Sequence, residues 1–466
     1  MNIVLISLVI LVCGGTIFLR PTEAPAALAM CALTALPTVI ILARTPEQRT
    51  FLMRLFVLAL LVRMILATVI YVGHMEEFFG GDANTYDVFG QSLVEAWHGN
   101  EYHQARYEGF VASGASAWGM IYLVAAVYEI IGPNMLAVQL VNAAVGAATA
   151  IVVYYAAQTL FSNIRVSKTA AVLVGFFPSL ILWSSQALKD GLIIMALALS
   201  ILATLRLMEK ITATYVMILI GSLLALFSLR FYIFYMMCAA VAGSFILGMK
   251  TLSAQGFLHR FIAVGVIGLA FTWFGVLQSA GMQFERYAIL KQIQTSREDQ
   301  AAAGSGFMKD VDVGTTEGAL TVIPVGLLYL IFAPFPWQFT TLRQSITLPE
   351  MIVWWALFPM LVLGLWYSLK HRLRQVSPIV IFTTMLTLAY SLFQGNVGTA
   401  YRQRSQLLVF YFIFVAVGVI IMKERAENRR YQQQLAKQEL ADLQAARVLA
   451  RRKAADVRHG STASVQ

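Results

Sequence analysis

Residues 79–87 read FGGDANTYD and stand between long apolar stretches. Around them, residues 74–118 hold seven Asp or Glu and three His, whereas the chain on either side is predominantly apolar. A membrane-spanning helix needs about 20 apolar residues, and a polar loop framed by such segments is typical of a polytopic membrane protein. The stretch therefore predicts an all-α membrane protein that carries a polar loop on one face.

The composition agrees with a lipid environment. The chain is 59% hydrophobic and 12% charged, with a mean hydropathy of +0.71, whereas soluble domains carry about 25% charged residues. All three cysteines lie in apolar runs, which predicts neither a disulfide framework nor a cysteine metal site. Half of the net charge of +10 comes from residues 423–466, with ten Lys or Arg against five Asp or Glu. We interpret this tail as a cytoplasmic segment that faces anionic lipid, not nucleic acid.

Apolar runs predict about twelve membrane spans. The first apolar stretch, Met1–Phe18, lacks a basic n-region and is expected to be part of a retained span and not a cleaved signal. Two further apolar runs, 117–132 and 318–337, are shorter or interrupted by Pro and Gly, and are expected to be juxtamembrane or re-entrant helices. The twelve spans are 2–19, 24–43, 51–73, 134–160, 168–186, 190–207, 212–229, 231–248, 257–279, 349–368, 377–394 and 405–422.

The positions of basic residues predict which ends of the spans are cytoplasmic. With twelve spans, the short loops rich in Lys and Arg all fall on one side, together with both termini. The polar segments 74–133 and 280–348 then form two outer loops, on the periplasmic side of a bacterial inner membrane. The expected domains are therefore a membrane domain over residues 1–422 and a basic, helix-rich cytoplasmic tail over 423–466.

Several basic residues remain at the outer ends of spans after this sorting, at Lys189, Arg230, Arg402 and Arg404. Ionisable groups at membrane depth cost about 2.5–3.5 kcal/mol each on insertion scales, so they tend to have a partner. Arg402 and Arg404 follow a glycine-rich stretch in GNVGTAYRQR (395–404), which suits a phosphate at headgroup level, and Tyr401 directly precedes Arg402. The alternative is that these side chains extend to lipid headgroups.

Asp82 is the candidate catalytic acid of the loop. The pattern from Asp82 onward is helical, which sets this carboxylate at or near a helix N-terminus. It could act as a general base, or help Glu77 to hold a divalent cation such as Mg²⁺ or Mn²⁺; otherwise no cofactor is expected. The alternative is that it only caps the helix. Arg63, within a predicted span, is expected to pair with an acid inside the bundle.

Several pieces follow this loop in order. They are IYL (121–123) with YEIIG (128–132), LAVQLVNAAVGA (136–147) and FPSLILWSSQALKD (177–190). Together with the loop they resemble the GT-C class of integral-membrane glycosyltransferases, of the protein-mannosyltransferase and aminoarabinose-transferase type. The pieces PFPW (334–337) and GTAYRQR (398–404) also resemble uncharacterised members found among exopolysaccharide-assembly proteins. The resemblance covers roughly residues 50–420.

The resemblance implies a GT-C-like fold, a sugar donor on a polyprenyl phosphate or diphosphate, and transfer with inversion at the periplasmic face. By position, Asp82 matches the acid of the family's first loop, and Asp190 is a candidate second acid. The family's commoner adjacent Asp-Glu pair is absent, because Ala83 follows Asp82, so the base and the metal requirement stay open. The partners that the resemblance implies are a polyprenyl-linked sugar, membrane lipids and polysaccharide-assembly proteins.

The working hypothesis is that Arg402 and Arg404, with Lys189 and Arg230, hold the lipid phosphate while residues 280–317 close over the site. One alternative is a polysaccharide polymerase or ligase, which would depend on outer basic residues and not on Asp82. Another is a transporter or flippase of lipid-linked glycans. Transporters usually contain two similar halves and broken helices, and the sequence contains no evident internal repeat.

Overall fold

The computed structural model describes residues 3–112, 118–247, 294–295, 297–300, 305–308, 311–338 and 342–462. Within these ranges the chain is all-helical, as the sequence predicts. The predicted span 257–279 and most of the predicted lid, 280–317, lie outside the described residues. The α-helices are α1 (Ile3–Leu19), α2 (Ala24–Arg44), α3 (Arg49–Val72), α4 (Glu76–Phe79), α5 (Asp82–Trp97), α6 (Glu101–Ala112), α7 (Trp118–Ile131), α8 (Met135–Phe161), α9 (Ile164–Phe176), α10 (Pro178–Ser184), α11 (Lys189–Glu209), α12 (Ala213–Leu229), α13 (Phe231–Leu247), α14 (Thr316–Phe332), α15 (Leu342–Ser345), α16 (Leu348–Phe393) and α17 (Val397–Thr462).

Six helices in the described part of the chain are long and apolar enough to cross a membrane, or seven if α9 and α10 form one bent span. These six are α2, α3, α8, α11, α16 and α17. Three other predicted spans correspond to α1, α12 and α13, each 17 residues long. The runs 117–132 and 318–337, predicted to be juxtamembrane or re-entrant, contain the helices α7 and most of α14. A polytopic membrane architecture is therefore confirmed, whereas the predicted count of twelve crossings is not.

The predicted span 168–186 is not one straight helix. Helix α9 ends at Phe176, α10 begins at Pro178, and the two are bent by 55°. Proline has no backbone N–H, and it disfavours helical conformation in the residue before it. Phe177 is accordingly extended, with φ −71° and ψ 128°. The two helices together still qualify as one bent span, and the bend itself was not predicted because hydropathy does not register it.

The guanidinium of Arg63, midway along α3, lies in the break between α9 and α10. Its Nη1 donates to the carbonyl of Gly175 at 2.7 Å, and its Nε donates to the hydroxyl of Ser184 at 2.8 Å. The last carbonyls of α9 lack N–H partners within their own helix, so these donors satisfy them. The partners of Arg63 in the described chain are carbonyl and hydroxyl oxygens. The expected acidic partner is therefore a wrong prediction.

Contacts between distant residues define two opposite faces of the bundle. At one, Arg165 at the start of α9 pairs with Glu427 of α17 at 3.2 Å, and Arg372 donates to the carbonyl of Leu160 at 2.9 Å. At the other, Arg402 lies near the start of α17. The 25 residues between Arg402 and Glu427 span about 37 Å of helix, enough to cross a hydrocarbon core of about 30 Å. We call these ends the Arg165 face and the Arg402 face.

Helix α16 reverses direction at Arg372, whose φ of −138° and ψ of 24° are not helical. Near its start, Glu350 accepts a hydrogen bond from Tyr401 at 2.7 Å. Near its end, Tyr390 donates to Gln406 at 2.6 Å. Both ends of α16 thus lie at the Arg402 face, and its middle lies at the Arg165 face. The two halves match the predicted spans 349–368 and 377–394, joined by a basic turn.

Helices α5 and α7 pack tightly against each other at the Arg402 face. Tyr128 of α7 donates its hydroxyl to the carboxylate of Asp87 on α5. A Cβ atom at Gly90 would lie 2.4 Å from Cγ1 of Val124, so only glycine allows this close approach. The pairing fixes α5 as a rigid element, and the orientation of α5 determines where its first residue, Asp82, is presented.

Candidate functional site

Helix α5 begins at Asp82, directly after two glycines. Gly80 has φ +136°, a conformation that L side chains rarely adopt. A Cβ atom on Gly80 would lie 3.7 Å from Nη1 of Arg402, so this turn runs close beside the guanidinium. The N-cap residue of α5 is Gly81, and Asp82 lies in the first turn. The side chain of Asp82 is 51% exposed, and the carboxylate therefore faces open space at the end of the bundle.

Asp190 lies in the first turn of α11 and is fully buried. Its Oδ2 accepts hydrogen bonds from Nε of Arg402 at 2.8 Å and from Nη2 at 2.6 Å. Its Oδ1 lies 3.8 Å from Nη2 of Arg230 and 3.5 Å from Nε2 of Gln406. A buried carboxylate requires compensation by charge and hydrogen bonds. Two guanidinium groups and an amide provide it here.

Arg402 joins both acids. Its third nitrogen, Nη1, donates to Oδ2 of Asp82 at 2.8 Å. The guanidinium carbon also lies 5.5 Å from the centre of the Trp183 ring, a cation–π distance. Trp183 lies near the end of α10, the helix that follows the break at which Arg63 donates its hydrogen bonds. The site is thus assembled from the starts of α5, α11 and α17 and from the end of α10.

Arg230 is the second cation of the cluster. It is the residue between α12 and α13, and its side chain is 10% exposed. Its Nη1 lies 3.5 Å from the hydroxyl of Tyr390, which in turn donates to Gln406 at 2.6 Å. Because Gln406 also reaches Asp190, the hydrogen bonds connect Arg230, α16 and α17 around one carboxylate.

Lys189 is the third cation and directly precedes Asp190 in α11. Its side chain is nearly buried, and it interacts electrostatically with Asp190, Asp82, Arg230 and Arg402. No carboxylate of the described residues comes within ion-pair distance of its ammonium. The cluster therefore sets three basic side chains, Lys189, Arg230 and Arg402, beside two carboxylates.

Tyr86 lies one turn after Asp82 on α5 and is buried. Burial, followed by the negative charges of Asp82 and Asp190, raises the pKa of its phenol. Burial disfavours the ionised phenol more than the guanidinium groups of Arg402 and Arg230 favour it, so the hydroxyl stays protonated at neutral pH. Tyr86 can therefore act as a hydrogen-bond donor at the site, but not as a base.

The structure does not bring Arg404 and Tyr401 to the Asp82–Arg402 pair. Arg404 is buried and donates to the carbonyls of Ile331 and Ala333 at 3.0 and 2.9 Å. The hydroxyl of Tyr401 donates to Glu350 at 2.7 Å. Both side chains therefore tie α17 to α14 and α16. Of the predicted site residues, Asp82, Asp190, Lys189, Arg230 and Arg402 do lie together.

The acidic residues of the site do not form a metal-binding set. Throughout the described part of the chain, no three His, Cys, Asp or Glu side chains lie close enough to hold one ion. The carboxylates of Asp82 and Asp190 are both engaged by Arg402, which sets a positive charge between them. A cation there would be repelled by the guanidinium. Glu77 lies in the short helix α4 and does not join Asp82 and Asp190 in a ligand group.

Three contributors to the site were not predicted from the sequence: Gln406, Tyr390 and Trp183. Gln406 carries a usable signal, because it follows Arg402 by four residues and therefore shares its helix face. Tyr390 and Trp183 give no sequence signal of a functional role, since aromatic residues are common at the ends of membrane spans. Their role depends on contacts between helices that hydropathy does not encode.

No protein-family model matches the chain, and no curated protein matches it. The class is therefore defined by fold and site alone. The chain is an all-helical, polytopic membrane protein with a charged cluster at one end of the bundle, where a half-exposed carboxylate meets a buried ion pair.

Proposed function

We propose that the chain is an integral-membrane glycosyltransferase that moves a sugar from a polyprenyl phosphate or diphosphate to an acceptor glycan, lipid or protein. The observation that supports it best is the Asp82–Arg402 pair. A half-exposed carboxylate lies 2.8 Å from a guanidinium, at the end of a bundle of membrane helices. Such transfer requires a base for the acceptor and positive charge for the departing phosphate, and this site contains both.

In the proposed reaction, Asp82 takes the proton from the acceptor hydroxyl as its oxygen forms a bond to the anomeric carbon of the sugar. The bond from that carbon to the phosphate oxygen breaks, and the electron pair leaves with the phosphate. Arg402, Lys189 and Arg230 stabilise the charge that develops there. Asp190 keeps Arg402 in position and is assigned no proton transfer. Tyr86 is available as a donor to the sugar.

The proposed setting is a bacterial inner membrane crossed about twelve times, in a GT-C-like arrangement. The Arg402 face, which includes the packed helices α5 and α7, is assigned to the periplasm. The Arg165 face is assigned to the cytoplasm because it carries the basic turns, and both termini belong to that side. The exposed basic tail beyond residue 423 then meets anionic lipid or partner proteins of surface-polysaccharide assembly.

The test is turnover by detergent-purified protein supplied with radiolabelled polyprenyl-phosphate sugars. We expect the wild type to release sugar from the lipid, and the Asp82→Asn variant to lose about 100-fold or more in rate, as is typical for removal of a general base. The matched control is Glu101→Gln, which changes an exposed acid in the first turn of α6. Its rate should equal that of the wild type. Absence of sugar release by the wild type from every such donor would refute the proposal.

The family resemblance leaves open a requirement for Mg²⁺ or Mn²⁺. The carboxylates of Asp82 and Asp190 do not favour one, because both are paired with Arg402. Full turnover after chelation of divalent cations is the expected result. A rate that falls on chelation and recovers only with added Mg²⁺ or Mn²⁺ would contradict this expectation.

A polysaccharide polymerase or ligase is a second candidate, favoured by the three basic side chains that meet at the cluster. Such an enzyme would bind a lipid diphosphate with the same three side chains. It would depend on Arg402 and not on Asp82. Retention of activity in Asp82→Asn together with loss in Arg402→Gln would select this alternative.

A transporter of lipid-linked glycans is favoured by another observation, the broken helix α9–α10 with a buried arginine in its gap. Discontinuous helices are frequent at the binding sites of transporters. A transporter would exchange labelled lipid-linked glycan across a proteoliposome membrane without breaking its glycosidic bond. Exchange without sugar release would replace the transferase proposal.

A further inference from the structure

The two carboxylates that bind Arg402 differ in burial. Asp190 accepts hydrogen bonds from Nε and Nη2 of Arg402 and has no exposed surface. Asp82 accepts one from Nη1 of Arg402 and is half exposed. A buried ion pair cannot separate without leaving a buried charge, but an exposed pair is weak because water competes for both partners. The Asp82 contact is therefore the one that a ligand can replace.

The charge of the cluster favours an anion at the position of the Asp82 carboxylate. With Asp82 in contact, the guanidinium groups of Arg230 and Arg402 are balanced by two carboxylates. With Asp82 withdrawn, both guanidinium groups face Asp190 alone, and one positive charge is left without a counter-charge. A sugar-linked prenyl phosphate carries one negative charge, the free prenyl phosphate carries close to two, and both offer more acceptor oxygens than a carboxylate does. A prenyl phosphate can therefore take the vacated position beside Arg402.

The local backbone allows Asp82 to withdraw without disturbing the helix. The residue lies in the first turn of α5, where the positive end of the helix dipole stabilises a carboxylate that has lost its partner. Its neighbours Gly80 and Gly81 have no side chains to obstruct a turn beside Nη1 of Arg402. The rest of α5 is held by Gly90 and Asp87 against α7.

We propose that Asp82 occupies the phosphate position of Arg402 in this structure, and that a prenyl phosphate displaces it. The displacement frees the carboxylate, so that the group needed as base becomes available when the lipid phosphate is bound. This inference rests on the proposed function and adds an order of events to it. A carboxylate paired with Arg402 is a poor base, and phosphate binding removes the pairing.

The test measures affinity and not turnover alone. Binding of farnesyl phosphate to the detergent-purified full chain is measured by calorimetry for wild type, Asp82→Asn, Arg402→Gln and the exposed control Glu101→Gln. Removal of the competing carboxylate should tighten binding by Asp82→Asn about threefold to fivefold, as expected for loss of one exposed ion pair. Arg402→Gln should bind more weakly than wild type, and Glu101→Gln should bind equally.

Two further ligands identify the source of the phosphate. Farnesol, which lacks the phosphate, should bind all variants equally. Inorganic phosphate should show the same order of variants as farnesyl phosphate but with lower affinity if the prenyl chain contributes to binding. Equal affinity of both phosphate ligands would assign the site to free phosphate and overturn the lipid assignment.

The outcomes separate this inference from the proposed function. If Asp82→Asn binds farnesyl phosphate no more tightly than wild type while sugar release is lost, the displacement is wrong and the transferase proposal stands. If no variant distinguishes farnesyl phosphate from farnesol and the wild type releases no sugar, both proposals fail. Should Asp82→Asn not purify as a folded protein, Asp82→Ser supplies the same comparison.

Discussion

Arg402 and Arg404 are two residues apart on α17 and have different environments. A helix rotates by about 100° per residue, so their side chains point in nearly opposite directions. Arg402 turns toward Asp82 and Asp190, whereas Arg404 turns toward carbonyls at the end of α14. Gln406, one turn after Arg402, returns to the Asp190 side. At the scale of the residue, the helical repeat thus assigns one arginine to the site and the other to packing.

The residue with the greatest effect on stability at the site is Asp190. Asp190→Asn leaves Arg402 and Arg230 buried near each other without the counter-charge that both share. Breaking a buried pair in this way costs about 3–5 kcal/mol, so we expect a marked fall in the thermal unfolding temperature of the detergent-solubilised protein. Glu101→Gln, at an exposed position, should change stability by less than about 0.5 kcal/mol. Equal unfolding temperatures for the two variants would contradict the assigned role.

At the scale of the element, the break between α9 and α10 depends on close packing with α8. A Cβ atom at Gly146 of α8 would lie 2.4 Å from Cβ of Ser184 and 2.9 Å from Nε of Arg63. We therefore expect Gly146→Ala to displace the hydroxyl that Arg63 binds, and to destabilise the protein by about 1–3 kcal/mol through overpacking. Because Trp183 precedes Ser184, sugar release should fall as well. Thermal unfolding and turnover measure both effects.

Gly221 of α12 provides the matched control for this substitution. A Cβ atom at Gly221 meets nothing within 4 Å. Alanine is favoured over glycine within a helix by about 0.5–1 kcal/mol, so Gly221→Ala should be neutral or slightly stabilising. A loss of stability in Gly221→Ala as large as in Gly146→Ala would show that the packing argument is incorrect.

At the scale of the whole molecule, the Arg402 and Arg165 faces are assigned to opposite compartments. Glu101→Cys at the Arg402 face should react with a membrane-impermeant maleimide in intact spheroplasts. Arg425→Cys, exposed on α17 at the Arg165 face, should react only after the membrane is permeabilised. The wild type gives the background from Cys13, Cys31 and Cys238. Labelling of both variants from outside would contradict the proposed topology.

Local composition was sufficient to establish a helical membrane protein, because in lipid an apolar segment must satisfy its backbone groups within a helix. It also identified Lys189, Arg230 and Arg402, since charge at the end of an apolar span is conspicuous, and Asp82 as an acid of the polar loop, whereas Asp190 was named as an acid of the site only through the family resemblance. Tertiary packing was needed to determine which charges meet. Asp82 and Arg402 are 320 residues apart, and Asp190 and Arg402 are 212 apart. Helix orientation likewise determines the break at Pro178, the carbonyl partners of Arg63 and the exclusion of Arg404 from the site. Apolar composition leaves this orientation undetermined, because any apolar face of a helix can contact lipid.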